Sequence, residues 1–448
     1  MAFDFSKIES FADSKKEEAI TVESNENKKT KRASKPNDVN FNINEKDRMV
    51  TVNEITNKIS KIIDQLNTSY IERENEITML FLALISSTNA FLHGPAGTGK
   101  SQLTEDISRK ISGSNYFRIL MGKTTEPSEI FGPVSLLAMK NDSYKINTEN
   151  KLPTAQIAFV DEVFKANSAI LNSLLTIMNE KLFFNDEVEE VPLISMIGAS
   201  NEYIEEDNLL ALYDRFLLRW HVDYIQEAGK RVNLFKSFLD SRKSKSKLIS
   251  KAEVAATKVE ETTITIDELL FLNELCKEVE IPLKVLKVYN TLFITLEKKG
   301  IIISDRRKNE GLKIIQATAL LGNKNTAGAE DLENLKYVLW NEPKDLPTVL
   351  QEVSLISNPE KLKYDGYLKS FTDLKKDLEK IEADKSDKDY HFNKTMKITE
   401  VNKQLSHVIN EVNKILSKMN RGNNNYMKYF NLKNEIGSFI DGLVNEIM

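Results

Sequence analysis

Eleven residues constrain this chain more than any other stretch: Phe91-Leu92-His93-Gly94-Pro95-Ala96-Gly97-Thr98-Gly99-Lys100-Ser101. Gly94, Gly99, Lys100 and Ser101 fall on the fixed positions of the pattern G-x-x-x-x-G-K-[ST]. Glycines let backbone N–H groups curl around an anion with no Cβ in the way, and a following helix offers its positive end. Lys100 then reaches the β- and γ-phosphates, and the Ser101 hydroxyl ligates Mg²⁺. Pro95, Ala96, Gly97 and Thr98 fill the loop and Gln102 follows it, so residues 94–102 form the candidate phosphate cradle. The flanks agree. Ala90, Phe91 and Leu92 are an apolar run before the loop, and Leu103, Ile107 and Ile111 recur at helical spacing after it. Strand, loop and helix in that order make this a nucleotide site.

The next informative stretch is Ile157-Ala158-Phe159-Val160, an apolar run ending in Asp161 and Glu162. Such a run is what a strand buried on both faces of a parallel sheet looks like. Its carboxylates then sit at the strand's C-terminal end, where open α/β sheets bind ligands. Alone, two acids there also read as a helix start stabilised by the helix dipole. Downstream of a phosphate loop they point to Mg²⁺-ATP. Residues 193–200 form another apolar strand that ends at Asn201. That side chain lies beside the γ-phosphate if the strand neighbours the one ending at Asp161; on local sequence alone a turn-forming Asn is the stronger reading. Asp214-Arg215-Phe216 then leads through Leu217 and Leu218 to Arg219 and a last strand. Arginines this close to a strand are usually surface or ion-pair residues.

The expected organisation is α/β followed by helices. Residues 1–48, polar and rich in Lys, Glu, Ser and Asn, read as a disordered tail carrying a short apolar patch (Phe3, Phe5, Ile8, Phe11). Residues 49–226 make the nucleotide-binding domain, which includes an irregular 124–134 stretch and a hairpin around Asn185-Asp186. Residues 227–342 make a helical domain with a Lys/Ser linker at 241–251 and a helix start at Ser304-Asp305-Arg306-Arg307, where Ser304 is a good N-cap. Residues 343–448 carry apolar stripes at three- and four-residue spacing, among them Ile398, Val401, Leu405, Val408 and Val412. These suit an antiparallel helical bundle with residues 422–425 as a turn.

Composition excludes several classes. A net charge of -5 with 29% charged residues gives no support to a general nucleic-acid binder. One cysteine, Cys276 in an apolar helical pattern, reads as a buried structural thiol, and four scattered histidines make no metal cluster. No uninterrupted apolar run approaches membrane-spanning length and the N-terminus lacks a signal peptide's apolar core, so the expectation is a cytoplasmic protein.

Taken in order, these segments resemble an AAA+ ATPase: a P-loop core with a parallel sheet, an all-α lid and a C-terminal helical bundle. More closely they resemble the MoxR family, and within it the RavA branch. The resemblance runs from about residue 55 to 340 and is carried by T-T-E-P-S-E-I-F-G-P-V-S at 124–135, L-P-T-A-Q-I-A-F-V-D-E at 152–162 and I-L-N-S-L-L-T-I-M-N-E-K-L-F at 170–183. A-S-N-E at 199–202, A-L-Y-D-R-F at 211–216 and S-D-R-R at 304–307 complete it. Lys151 stands where the family usually has a glycine, and the small β-rich domain associated with RavA has no clear counterpart in the C-terminal stretch.

The resemblance implies roles residue by residue. Lys100 and Ser101 would hold phosphate and Mg²⁺; Asp161 would hold Mg²⁺, and Glu162 would polarise the attacking water. Asn201 would help place that water. Arg215 resembles the arginine finger that a neighbouring subunit inserts, with Arg219 as runner-up. Arg306 resembles the lid sensor that closes over the same phosphate, with Arg307 as its alternate. A finger acting in trans implies a hexameric ring. The family further implies protein remodelling with a partner that carries a von Willebrand factor A domain; a nucleic-acid motor and a nucleotide-dependent scaffold are the alternatives.

Overall fold

The computed structural model describes residues 45–202, 207–232, 234–236, 239, 262–383, 390–419 and 425–447. The apolar patch at Phe3–Phe11, the 241–251 linker and most of the 422–425 turn lie outside them. Helix α1 (Glu45–Ser69) starts inside the stretch expected to be tail. Its stripe of Ile55, Ile59, Ile62 and Leu66 is buried, as a three-to-four spacing requires of a helix with one face on a core. Helix α2 (Glu74–Ile85) is apolar nearly all round and is covered nearly all round.

Five parallel strands form the central sheet: β1 (Ala90–His93), β2 (Tyr116–Leu120), β3 (Ile157–Asp161), β4 (Ser195–Ser200) and β5 (Leu218–His221). Their order across the sheet is β2-β3-β4-β1-β5. Helices cover both faces, and the apolar runs follow from that. Ala90, Leu92, Phe159 and Ile197 face one core, while Phe91, Ala158, Val160 and Met196 face the other. Helix α3 (Lys100–Arg109) follows β1, α4 (Ser168–Glu180) follows β3, and α5 (Asp207–Tyr213) precedes β5.

The irregular 124–134 stretch holds one short helix, Pro127–Phe131, closed by a Glu126/Glu129 capping box. Beyond it a four-residue helix, Leu136–Met139, sits on a loop that the bridge between Val134 and Ile146 closes. The expected hairpin pairs Leu182–Phe184 with Val188–Glu190. Its Asn185 clamps the neighbouring loop, donating to the Ile146 carbonyl at 3.1 Å and accepting from the Ile146 N–H at 2.7 Å. Together these tips leave Leu136, Leu137, Met139, Phe184 and Val188 exposed. Lys151 adopts φ -115° and ψ 173°, backbone that any residue accepts, so no glycine is needed there.

The lid is built from α6 (Ile266–Glu278), α7 (Leu283–Lys298) and α8 (Asp305–Leu321). Thr265 caps α6 and Ser304 caps α8, each side-chain oxygen accepting a backbone N–H three residues on. Helix α9 (Leu346–Ser357) buries Val349 and Val353 in the same core as these helices, so lid packing runs past the expected boundary at 342. Helices α10 (Pro359–Ala383), α11 (Tyr390–Lys418) and α12 (Tyr426–Ile447) then close a core of their own around Phe371, Val401, Leu405, Val412, Tyr429 and Ile436. Tyr364 meets Tyr429 and Phe371 meets Phe439, so α10 and α12 run parallel. Alternation along the chain makes α11 antiparallel to both, a three-helix bundle where the stripes alone left a hairpin open. Among the described residues this region contains no strand.

Candidate nucleotide site

The phosphate loop turns out of the C-terminal end of β1. Gly94 has φ +146°, and a Cβ there would lie 2.2 Å from the Val222 carbonyl oxygen, so only glycine lets β5 pass so close. Gly99 takes the left-handed region, φ 84°, as the N-cap of α3. Gly97 and Ala96 form the exposed tip. Lys100 is buried and donates to the Gly94 carbonyl at 2.6 Å and the Pro95 carbonyl at 2.9 Å. Burial pulls its ammonium below the ordinary lysine range, while Asp161 and Glu162 work to keep it charged. Gln102, which its position in the sequence puts in the cradle, donates to Asp106 one turn on.

Strand order brings the acids to this loop. Because β4 lies between β1 and β3, Ser200 pairs with His93 and Ala199 with Asp161. Ser101 Oγ donates to Asp161 Oδ2 at 3.1 Å, joining segments sixty residues apart. Glu162 follows in the left-handed region, φ 52°, a non-glycine outlier of the kind that sites tolerate for a purpose. Its Oε2 is shielded from solvent without a well-formed hydrogen bond, although Lys165 Nζ is 3.3 Å away. Lys165 also reaches Glu202 Oε1 at 3.3 Å, so it stands between two carboxylates. Asn201 is exposed one residue past β4, level with the loop, since the Gly94 N–H bonds the Ser200 carbonyl at 3.1 Å. The condition set for Asn201, that its strand neighbour the one ending at Asp161, is met.

The arginines divide. Arg215 and Arg306 come together on one acceptor, Asn179 Oδ1, at 3.3 Å and 2.7 Å. They line a cavity of about 160 Å³ with Ser87, Thr88 and Asn89, which precede β1. The phosphate loop follows β1. Arg215 and Arg306 therefore lie at the opposite end of the sheet from Lys100 of their own chain. Arg219 and Arg307 are 1% and 2% exposed and are tied to backbone carbonyls, Trp340 among them.

Several residues carried no sequence signal. Buried Arg73 reaches the Thr98 carbonyl of the loop at 3.4 Å and the Asp223 carbonyl at 2.8 Å. Tyr224 donates to the Ala96 carbonyl at 3.3 Å. His93 and His221 meet through their Nδ1 atoms at 2.8 Å, and burial beside His221 and Lys100 drives His93 down to about 4. Only the β1–β5 register, His93 against His221, would have revealed that pair. A larger cavity, about 570 Å³, is lined by Arg219, Arg307 and residues 340–343 and also by His93 and Glu202, which adjoin the phosphate loop and Asn201; Lys100 and Asp161 do not line it.

A family profile described as the MoxR domain in the MoxR-vWA-beta-propeller ternary systems matches residues 57–263, and one described as an AAA lid domain matches residues 272–353. Two uncharacterized proteins of Methanocaldococcus jannaschii are similar. One is 34% identical over 404 residues, covering 88% of this chain and 100% of the relative. The other is 37% identical over 305 residues, covering 67% of this chain and 76% of the relative. The crystal structure of a candidate ATPase from Cytophaga hutchinsonii superposes with a TM-score of 0.53 at 16% identity, over 68% of this chain and 97% of that one, a likeness of fold alone. The two profiles run through the same elements that carry the loop, the paired acids and the arginine-bearing helix, and on that correspondence the chain belongs to the MoxR family of AAA+ ATPases, which bind nucleotide.

Proposed function

We propose that this chain is a cytoplasmic ATP-hydrolysing motor that works as a hexameric ring and remodels protein partners. The observation that carries the reading is the 3.1 Å contact between Ser101 Oγ and Asp161 Oδ2, which puts the paired carboxylates at the phosphate loop. Two hard oxygen donors so close fit Mg²⁺, which when bound would neutralise charge on the β- and γ-phosphate oxygens. The chain's own residues supply the rest. Residues 94–101 cradle the phosphates and Lys100 reaches toward the terminal ones, leaving its carbonyl partners. Glu162 takes the proton of the attacking water, and Asn201 holds that water in line. Arg215, with Arg306 beside it, offers positive charge to the γ-phosphate of a neighbouring copy, because both stand a full strand length from their own loop. Phosphoryl transfer asks for positioning and charge neutralisation, so these few residues suffice.

A protein substrate is favoured over a nucleic acid by the two clamped tips. They expose Leu136, Leu137, Met139, Phe184 and Val188 next to Asp186, Glu187, Glu189 and Glu190, an apolar and acidic surface that suits a polypeptide and repels phosphate. The matching profile's description names a von Willebrand factor A protein alongside the MoxR domain, which supports a partner of that kind. Among the described residues no helix is long and apolar enough to cross a membrane.

Two variants test the reading. Lys100→Ala is expected to lose nucleotide binding, and Glu162→Gln to bind ATP but release phosphate very slowly. Wild-type turnover by Glu162→Gln would refute the role given to Glu162. The Glu162→Gln form, loaded with ATP, is also the trap with which to isolate the partner.

A further inference from the structure

Building on the trans-acting role given to Arg215 above, we propose that Asn179 is a positioning residue that holds Arg215 and Arg306 as one two-pronged unit for the neighbouring copy's triphosphate. Its Oδ1 accepts from Arg215 Nε at 3.3 Å and from Arg306 Nη2 at 2.7 Å, although the three residues come from three separate stretches of chain. Asn179 is exposed on the last turn of α4, where the negative end of the helix dipole favours cations. A second anchor, the Ala211 carbonyl, takes Arg215 Nη1 at 2.8 Å and fixes the plane of that guanidinium.

The residue type matters. Two guanidiniums side by side repel; burial and Arg306 both push Arg215 down. A carboxylate between them would remove the repulsion by cancelling the charge that an incoming phosphate is meant to meet. An amide oxygen binds both forks and cancels nothing. The rest of the cavity keeps the same balance. Glu310 is paired with Lys313, and Asp214, which accepts from Ser304, partly offsets the downward push on Arg215. Lys181, brought down to about 8 by burial and by Lys313, adds a further base.

Steady-state ATPase of the full chain tests this, with assembly followed by sedimentation velocity and affinity by a fluorescent ATP analogue. Asn179→Ala should lower kcat about tenfold, the cost of a catalytic group loosened by a fraction of an ångström. Asn179→Asp should lower it further, to about a hundredfold, by neutralising the unit. KM and analogue affinity should stay within about twofold, because Asn179 lies at the other end of the sheet from its own chain's nucleotide loop. Arg306→Ala added to Asn179→Ala should cost no more than the worse single change. The inference is overturned if both Asn179 variants turn over like wild type, if Asp is no worse than Ala, or if their loss tracks ring assembly with kcat per ring unchanged. Arg215→Ala serves as the control: should it keep wild-type turnover, the finger reading itself has failed, whereas a dead Arg215→Ala beside a fully active Asn179→Asp sinks only the role of Asn179.

Discussion

Two arginine pairs are drawn from the same two segments and meet opposite fates. Arg219 and Arg307 are buried within reach of the Trp340 carbonyl, where Arg219 also stacks 3.6 Å from the Tyr213 ring and Arg307 reaches Asn341 Oδ1 at 2.6 Å. Arg215 and Arg306, four positions and one position away, share a surface side-chain amide. In the first pair backbone carbonyls, with Asn341 Oδ1 for Arg307, take the fork donors other than Arg307 Nε, and burial pushes both groups down, Arg307 well below its usual range. That pair ties the last strand to the lid. In the second pair Arg215 is half-buried and Arg306 exposed, so both charges stay close to solvent. Burial, rather than residue type or motif spacing, separates the arginines that hold the fold from those to which the proposed function gives a role at a neighbour's site.

The sharpest way to break this contrast is to truncate one member of each pair. Arg215→Ala should cost roughly a thousandfold in kcat, as removal of a trans arginine does, while denaturant unfolding stays within about 0.5 kcal/mol of wild type. A fall in stability matching the fall in activity would erase the distinction. Arg307→Ala should do the reverse in kind, losing about 2–4 kcal/mol of stability as the Val338 carbonyl and Asn341 Oδ1 lose this donor and the Trp340 carbonyl keeps only the long contact from Arg219. An unchanged midpoint would mean the buried pair is not structural. Arg219→Lys keeps a charge but loses the fork and the stacking, so unfolding should ease by about 1–2 kcal/mol. Smallest of all, Arg306→Lys keeps the positive charge and loses the shared hydrogen bond, and turnover should fall about threefold to tenfold with ATP affinity intact.

Much of the α/β core was legible because its constraints are local. The phosphate loop needs its glycines, and Ile157 to Val160 had to be a strand covered on both faces, which is what their burial shows. Asn201 was undecidable until strand order put β4 between β1 and β3, since local sequence equally favours a turn. The difference in burial between Arg215 and Arg219, and between Arg306 and Arg307, depends on Trp340, which is distant in sequence from Arg215 and Arg219. Asn179 gave no sign because sharing one oxygen between two distant segments leaves no periodic or spacing signature. The lid's reach through α9 was missed for a related reason: Val349 and Val353 fit either a bundle stripe or a lid face, and only packing assigns them.

The most direct test of a site completed across two protomers is turnover in mixed rings. Arg215→Ala carries an intact loop and Glu162 but lacks the finger, and Glu162→Gln carries the finger but lacks the base. Each alone is expected to be nearly inactive, and an equimolar mixture should recover a clear fraction of wild-type phosphate release at interfaces that join the two intact halves. Mixed rings of verified composition that stay as inactive as the separate variants would contradict a finger acting in trans.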